Sequence, residues 1–434
     1  MNPHASPYQR GQALVLGMLL AGAVSIAFVR YFSLAQVVGA KSAQHHALDA
    51  SAYSGALVQA RALNLLAYLN TAHVAHQVAM AHLVTLGSWS AFGATQARQA
   101  AVGNPPAYLI TLLFGAGHGA AYAASRRAAS LAPLAGADGD LARAYAAHDD
   151  FVMRVFGQVQ GLVVDGLPSA RRNAMLAVLE RSALPPAVPS GGSFDLVIEG
   201  DNWSGFLERY SAGRTLRPFI QRVADLYRFL APRNRMASNP WMVDARCPGL
   251  RHELRRRGVT ELDAAGRWQS LDTQSFHALR ANRWVGCYRR EYPMGWGWIP
   301  SAKGQAPGAP YVESPPDDFS SQDFWRWVTQ ATDWSLVSGD SNPLANSRAV
   351  AAVARWHGSG LPTYFDIGAG SDVLRFGVTL RHTGPGGLYL HTRSAAETFF
   401  SRPESRADGA LEKGNLFHPY WQARLAAPLT GTSP

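Results

Sequence analysis

Lysine is nearly missing from this chain. Lys41, Lys303 and Lys413 are the only three in 434 residues, and all other basic side chains are arginine. Charge of either sign is sparse: Asp, Glu, Lys and Arg make up 16% of the residues, against about 25% in ordinary globular domains. Several signatures are also missing. There is no G-x-S-x-G, no Walker A, no H-E-x-x-H, no C-x-x-C, and no G-x-G-x-x-G opening a helix after a strand. The sequence therefore offers no nucleophile elbow, phosphate loop, zincin helix, redox dithiol or dinucleotide fingerprint. The net charge of +10 is arginine scattered along the chain. A nucleic-acid binder clusters basic residues with aromatics on one face, so no nucleic-acid partner is expected. The densest basic group, Arg251, Arg255, Arg256 and Arg257, reads as a solvated face or an anionic contact.

Cysteine is limited to Cys247 and Cys287. In an exported domain an even pair is expected to bond, and a closed loop of about forty residues would add about 3–4 kcal/mol by loop entropy. The alternative is two buried free thiols.

What is present in quantity is apolar sequence near the N-terminus. Gly11 to Val29 (GQALVLGMLLAGAVSIAFV) carries no charge. As a helix it spans about 28 Å, enough for a bilayer core of about 30 Å. Three assignments compete: a retained transmembrane helix, a cleaved signal ending near Val38-Gly39-Ala40, and the buried helix of a soluble protein. The run is longer than a signal h-region, and soluble core helices rarely go so far without a charge, so the retained anchor is expected. Arg10 precedes it and Arg30 and Lys41 follow, which leaves the positive-inside count nearly balanced. A short N-terminus before a long exported part favours a cytoplasmic N-terminus.

Residues 41–100 continue the helical pattern without proline, with Leu57, Ala60, Leu63, Leu66 and Val74 at helical spacing. Gly87 and Gly93 are possible break points, and Asn104-Pro105-Pro106 should end the helix. More helix is expected at about 107–131, 138–163 and 168–184. After a Pro/Gly/Ser-rich stretch from Leu184 to Ser193 the composition shifts. Strands are expected at Arg267–Leu271 and Trp284–Tyr292, then another loop at Gly304–Pro316. The clearest hairpin pairs Val373–His382 with Leu388–Thr392 across a Gly-Pro-Gly-Gly turn. The expected class is α+β. The boundaries are a cytoplasmic N-terminus at 1–10, an anchor at 11–40, a helical region at 41–184 and a mixed C-terminal region at 185–434.

Chemical candidates are few. His73 and His76 share a helix face and His82 falls opposite, short of the three or four ligands zinc needs. Asp138, Asp140, Asp149 and Asp150 offer oxygen ligands, but calcium takes six to eight. Asp138 and Asp140 read better as helix-start carboxylates. Asp317 with Asp318, and Asp366 with Asp372, are carboxylate pairs in sequence, the minimum for a glycosidase. Tyr292 to Trp298 and Phe324 to Trp327 are aromatic runs that would serve as a glycan or partner platform or, more simply, as core. No cofactor and no metal is expected.

Three stretches resemble one family. The opening Arg10-Gly11-Gln12-Ala13-Leu14-Val15-Leu16, the segment Ala47-Leu48-Asp49-Ala50-Ser51-Ala52-Tyr53-Ser54-Gly55-Ala56, and Ala62-Leu63-Asn64 to Asn70 with His76-Gln77-Val78-Ala79 are similar to TadE/TadG-like proteins of bacterial Tad (Flp, type IVb) pilus assembly. So is the C-terminal Ala395-Ala396-Glu397 with Phe400-Ser401-Arg402-Pro403 and Asn415-Leu416-Phe417-His418-Pro419-Tyr420-Trp421. The resemblance implies a single-pass inner-membrane protein with its bulk in the periplasm and no catalysis. Its implied partners are other pilus-assembly membrane proteins, pilin or pseudopilin subunits, and membrane lipid. Pilins are cut after a glycine and usually carry glutamate at the fifth mature position. A cut at Gly11–Gln12 would put Leu16 there, so a retained anchor fits better than incorporation into a pilus-like fibre. Gly17, Ala21, Gly22 and Ser25 would let a second helix approach closely in lipid, unless they only reflect alanine and glycine richness. Two other classes stay open: a membrane-anchored periplasmic envelope hydrolase, and a soluble binding module with a buried N-terminal helix.

Overall fold

The computed structural model describes residues 9–182, 195–210, 216–263, 265–282, 286–299, 356, 358–368 and 372–428. The chain is α+β: a long apolar N-terminal helix leads into antiparallel sheets. In order, the elements are helices α1 (Gln9–Val102), α2 (Ala107–Phe114) and α3 (Ala116–Ala124), a 3-10 segment (Ser125–Ala135), α4 (Asp140–Asp150), a π segment (Phe151–Phe156) and α5 (Gly157–Arg181). Then come β1 (Asp195–Glu199), α6 (Trp203–Phe206), β2 (Leu207–Tyr210), α7 (Leu216–Ala224), β3 (Arg235–Ser238), β4 (Glu253–Leu262), β5 (Trp268–Asn282) and β6 (Gly286–Ile299). The last strands are β7 (Tyr364–Ile367), β8 (Val373–Thr383), β9 (Tyr389–Phe400) and β10 (Trp421–Ala426).

The residues fold into two compact units. Unit 1 takes Met1–Asn70, Gln160–Glu208 and Phe365–Pro434, and unit 2 takes Thr71–Val159 and Arg209–Tyr364. The composition shift at 185 marks where helix gives way to strand along the chain. It does not separate the units, since each draws helix from before it and strands from after it.

In unit 1 a four-stranded antiparallel sheet of order β1-β8-β9-β10 carries the helices. The expected hairpin is there: β8 pairs with β9 from Val373↔Phe399 to Thr383↔Tyr389. On α1, Leu48, Ala52, Ala56 and Ala60 recur every four residues and are buried, a single stripe at helical period. Leu48, Ala52 and Ala56 pack with Met175 and Leu179 of α5 and with Phe376, Val378 and Leu380 of β8, and Ala60 with Leu167 of α5, Leu374 and Trp421. Small residues bring α1 close: a methyl at Gly55 would stand 2.8 Å from the Met175 sulfur. The same helix donates polar groups to strand backbone. Gln44 donates to the carbonyls of Leu380 and Leu390 at 3.2 and 3.3 Å, and Gln59 to that of Leu374 at 3.3 Å. Asn64 both donates to the Trp421 carbonyl at 3.0 Å and accepts from its N–H at 2.9 Å. Asn70 donates to the Phe365 and Leu416 carbonyls at 2.8 and 2.7 Å. Buried amides are tolerated when paired in this way. The Ala47–Asn70 run and the Asn415–Trp421 run, far apart in sequence, are thus two sides of one packed interface. Buried Arg171 is held by Gln59 and Asp201 and lies over the Phe376 ring.

In unit 2 the sheet order is β3-β4-β5-β6, all antiparallel. Two expected strands are present but longer, as β5 and β6, which pair from Ser270↔Ile299 to Asn282↔Gly286. Helix α1 lies on this sheet where Gly295 and Gly297 remove side chains from one face of β6. A methyl at Gly297 would stand 2.3 Å from the Ser88 carbonyl. Gly87 and Gly93 do not break α1; a methyl at Gly87 would lie 2.6 Å from the Trp356 ring, so this glycine serves packing. The helix ends at Gly103, whose φ of 72° is the left-handed cap conformation and whose N–H bonds the Gln99 carbonyl at 2.9 Å. That stop falls one residue before the expected Asn104-Pro-Pro.

Candidate functional site

The described surface offers two features that ordinary packing leaves unexplained. The first is the N-terminal part of α1, the one helix among the described residues long and apolar enough to cross a membrane. Every residue from Gln12 to Gln36 is exposed, including Met18 at 68% and Phe28 at 71%. The same helix becomes buried from Gln44 onward. Exposed apolar area on this scale marks an interaction surface. Gly17, Ala21 and Ser25 are spaced by four and fall on one stripe beside Gly22, and nothing lies within 4 Å of a methyl built at Gly17 or Gly22. Gly11 and Gln12 fall in the first turns of the helix, with Leu16 exposed.

The second feature is a pocket of about 1060 Å³ in unit 2. Trp89, Phe92 and Gln96 of α1 form one wall, and His118, Ala121 and Tyr122 of α3 another. Arg228 to Ala237, leading into β3, supplies Phe229, Arg233, Arg235 and Met236, and the sheet adds Leu254, Arg256 and Gln274. Asp272, fully buried, stands behind it. It accepts from Arg233 Nη2 at 2.9 Å, Arg256 Nη2 at 2.9 Å and Ser88 Oγ at 2.8 Å. The Arg256 guanidinium also stacks on the Phe92 ring at 3.7 Å. Burial lowers its pKa, partly offset by Asp272, and Arg233 and Arg235 push the same way as burial.

The other sequence candidates fall into structural roles. Cys247 and Cys287 are bonded to each other. His76 Nδ1 lies 2.9 Å from His148 Nδ1, and His73 is buried nearby on α1. Burial lowers the His73 pKa to about 4, with His76 adding to the effect. His82 instead lies against Phe229, the ring centroids 4.2 Å apart and the planes tilted by 40°. No cluster of metal-ligating side chains forms among the described residues. Asp140 pairs with Arg143 and Asp150 with Arg154. Asp149 accepts from the Ser359 N–H at 3.0 Å and hydroxyl at 2.8 Å. Asp366 accepts the Leu416 N–H at 2.9 Å and Asp372 the Gly414 N–H at 2.8 Å, so this carboxylate pair holds one loop. Burial raises the pKa of Asp366. Tyr292 to Trp298 is β6, with Trp298 buried. Arg255 pairs with Glu253, and of the Arg251–Arg257 group only Arg256 reaches the pocket. Asp317, Asp318, Trp284 and Phe324 to Trp327 lie outside the described residues.

Sequence reasoning missed the pocket. Its one local signal is Tyr227-Arg-Phe-Leu-Ala-Pro-Arg-Asn-Arg-Met236, where three arginines alternate with aromatic and apolar residues. Comparison with protein-family models, with curated proteins and with solved structures finds no match.

Proposed function

We propose that the chain is a membrane-anchored, non-enzymatic component of Tad-type (type IVb-like) pilus assembly or a related secretion apparatus. In this reading residues 11–40 cross the bacterial inner membrane with the N-terminus in the cytoplasm, and units 1 and 2 work in the periplasm through protein contacts. The observation that carries it is the change along α1. Residues 12–29 expose an uncharged apolar surface, which water disfavours at about 25 cal/mol per Å², and past Arg30 the exposure continues to residue 36, while the turns from Gln44 onward bury theirs. The sequence resemblance supplies the apparatus. Within lipid the apolar face gains nothing from a second helix by hydrophobicity alone, so association depends on close backbone approach at small residues. Gly17, Ala21 and Ser25 provide that stripe, and pilin, pseudopilin or assembly-protein helices are the partners it suits.

Leucine at both Gly17 and Ala21 tests the reading. Leucine keeps the segment apolar and helical, so the protein should stay at its normal level in the membrane fraction. Surface pili should then be lost or sharply reduced. Normal piliation in the double variant refutes the docking role. Release of the wild-type protein by high-pH carbonate without detergent refutes the anchor itself.

A further inference from the structure

We infer that the unit 2 pocket is a docking site for an extended acidic peptide segment of a partner protein. The proposal rests on the pocket alone and stands or falls independently of the membrane anchor.

Charge is the first argument. Arg228, Arg233, Arg235 and Arg256 line the pocket, and no aspartate or glutamate is among its described lining residues. Asp272 is the buried counter-ion, and both Arg233 and Arg256 already share it. Arg228 and Arg235 are exposed, and neither takes part in an ion pair or side-chain hydrogen bond among the described residues. An excess of guanidinium on low-dielectric walls concentrates anions. Arginine in such a place matches carboxylates by paired N–H donors.

Shape is the second. Successive residues of a strand point to opposite faces, yet Arg235, Met236 and Ala237 all line the pocket. The pocket therefore reaches round the strand, and β3 is outermost among the described strands of its sheet. Edge strands accept extended peptides, with alternate side chains entering flanking pockets. The third argument is the apolar complement. Trp89, Phe92, Phe229 and Met236 give the same pocket an aromatic and thioether wall, with Trp89 and Met236 exposed. The buried Tyr122 hydroxyl on this lining has no hydrogen-bond partner among the described residues. Bare phosphate would use the arginines and leave that wall idle. A peptide alternating acidic and apolar side chains would use both.

The test uses the full chain in nanodiscs of neutral lipid. Its probe is a fluorescent peptide alternating glutamate and leucine, with the glutamine-leucine version as control. The expected result is saturable anisotropy with the acidic peptide and none with the control. Affinity should fall steeply as salt rises. Arg228→Gln with Arg235→Gln should weaken binding about tenfold or more. Both residues are exposed and outside the Asp272 network, so circular dichroism and melting should not change. Arg98→Gln, with no place in the pocket, should bind as the parent does. Equal binding of the two peptides, or unchanged binding by the double variant, overturns the proposal. Displacement of the probe by an equal concentration of inorganic phosphate would mean a small-anion site and also overturns it, as would transfer of the preference to vesicles of anionic lipid.

Discussion

Replacing Asp272 by asparagine should unfold unit 2 at a markedly lower temperature. Its carboxylate has no solvent exposure and is the shared counter-ion of Arg233 and Arg256, whose side chains are 14% and 21% exposed. Asparagine is nearly isosteric and keeps an oxygen for Ser88. The change therefore isolates the charge and leaves two close guanidiniums with no anion. Breaking a buried pair from one side costs about 3–5 kcal/mol. In a unit of this size each kcal/mol lowers the midpoint by about 2–4 °C, so the expected drop is about 6–20 °C. Ser88→Ala is the calibration. It removes one donor at 2.8 Å while the charges stay balanced, which costs about 0.5–1.5 kcal/mol. Both are read by thermal melting of the full chain in detergent, with limited proteolysis reporting which unit opens. An Asp272→Asn midpoint within a degree or two of the parent refutes the view that this carboxylate is the necessary counter-ion.

Three further outcomes follow from other places in the fold. Burial lowers the pKa of His73 to about 4, so between that value and about 6.5 the unfolded chain binds the extra proton and stability falls as the pH falls. From pH 7.5 to 5 the loss from this residue is about 2 kcal/mol, and His73→Leu should flatten the melting profile across that range; an unchanged slope counts against it. Reducing the Cys247–Cys287 bond, which closes a separation of 40 residues, should cost up to about 4 kcal/mol on the loop-entropy account. Intact mass with and without reductant should differ by two hydrogens. Asn64→Leu strips the Trp421 N–H and carbonyl of their side-chain partner and should cost unit 1 about 1–3 kcal/mol, seen as a lower midpoint with unit 2 unaffected.

The elements that could be read in the sequence were those whose own residues decide them. The uncharged run from Gly11, the alanine-rich continuation of α1 and the alternation in β8 and β9 each carry their period locally. Strand β4 does not. Its core reads Leu-Arg-Arg-Arg-Gly, a polar run, because Arg255 and Arg256 are half-buried against Glu253 and Asp272, and neutralisation in the fold hides the alternation. Gly87 and Gly93 look like breaks when the only neighbours considered are those in sequence; the partner that makes Gly87 fit is Trp356. Gly55 is in the same position: nothing beside it in sequence shows that Met175 and Phe376 close on it. The pocket was the least legible, because its walls come from α1, α3, the approach to β3 and the sheet. The arginines at 228, 233 and 235 acquire meaning only when Trp89 and Phe92 arrive beside them.

The pairing of Asn64 with Trp421 spans 357 positions, and that of Gln44 with Leu390 spans 346. Ribosomes add about 5–20 residues per second, so the α1 face bearing Leu48, Ala52, Leu63 and Leu66 waits roughly 20–70 s for its sheet. Contacts of such range also close slowly once the chain is free. Throughout that interval the helix carries two uncovered apolar surfaces in succession, one suited to lipid and one to β8, β9 and β10. Unit 1 therefore cannot close around α1 until Trp421 has been made, whereas the residues of unit 2 are all present once Tyr364 has been added.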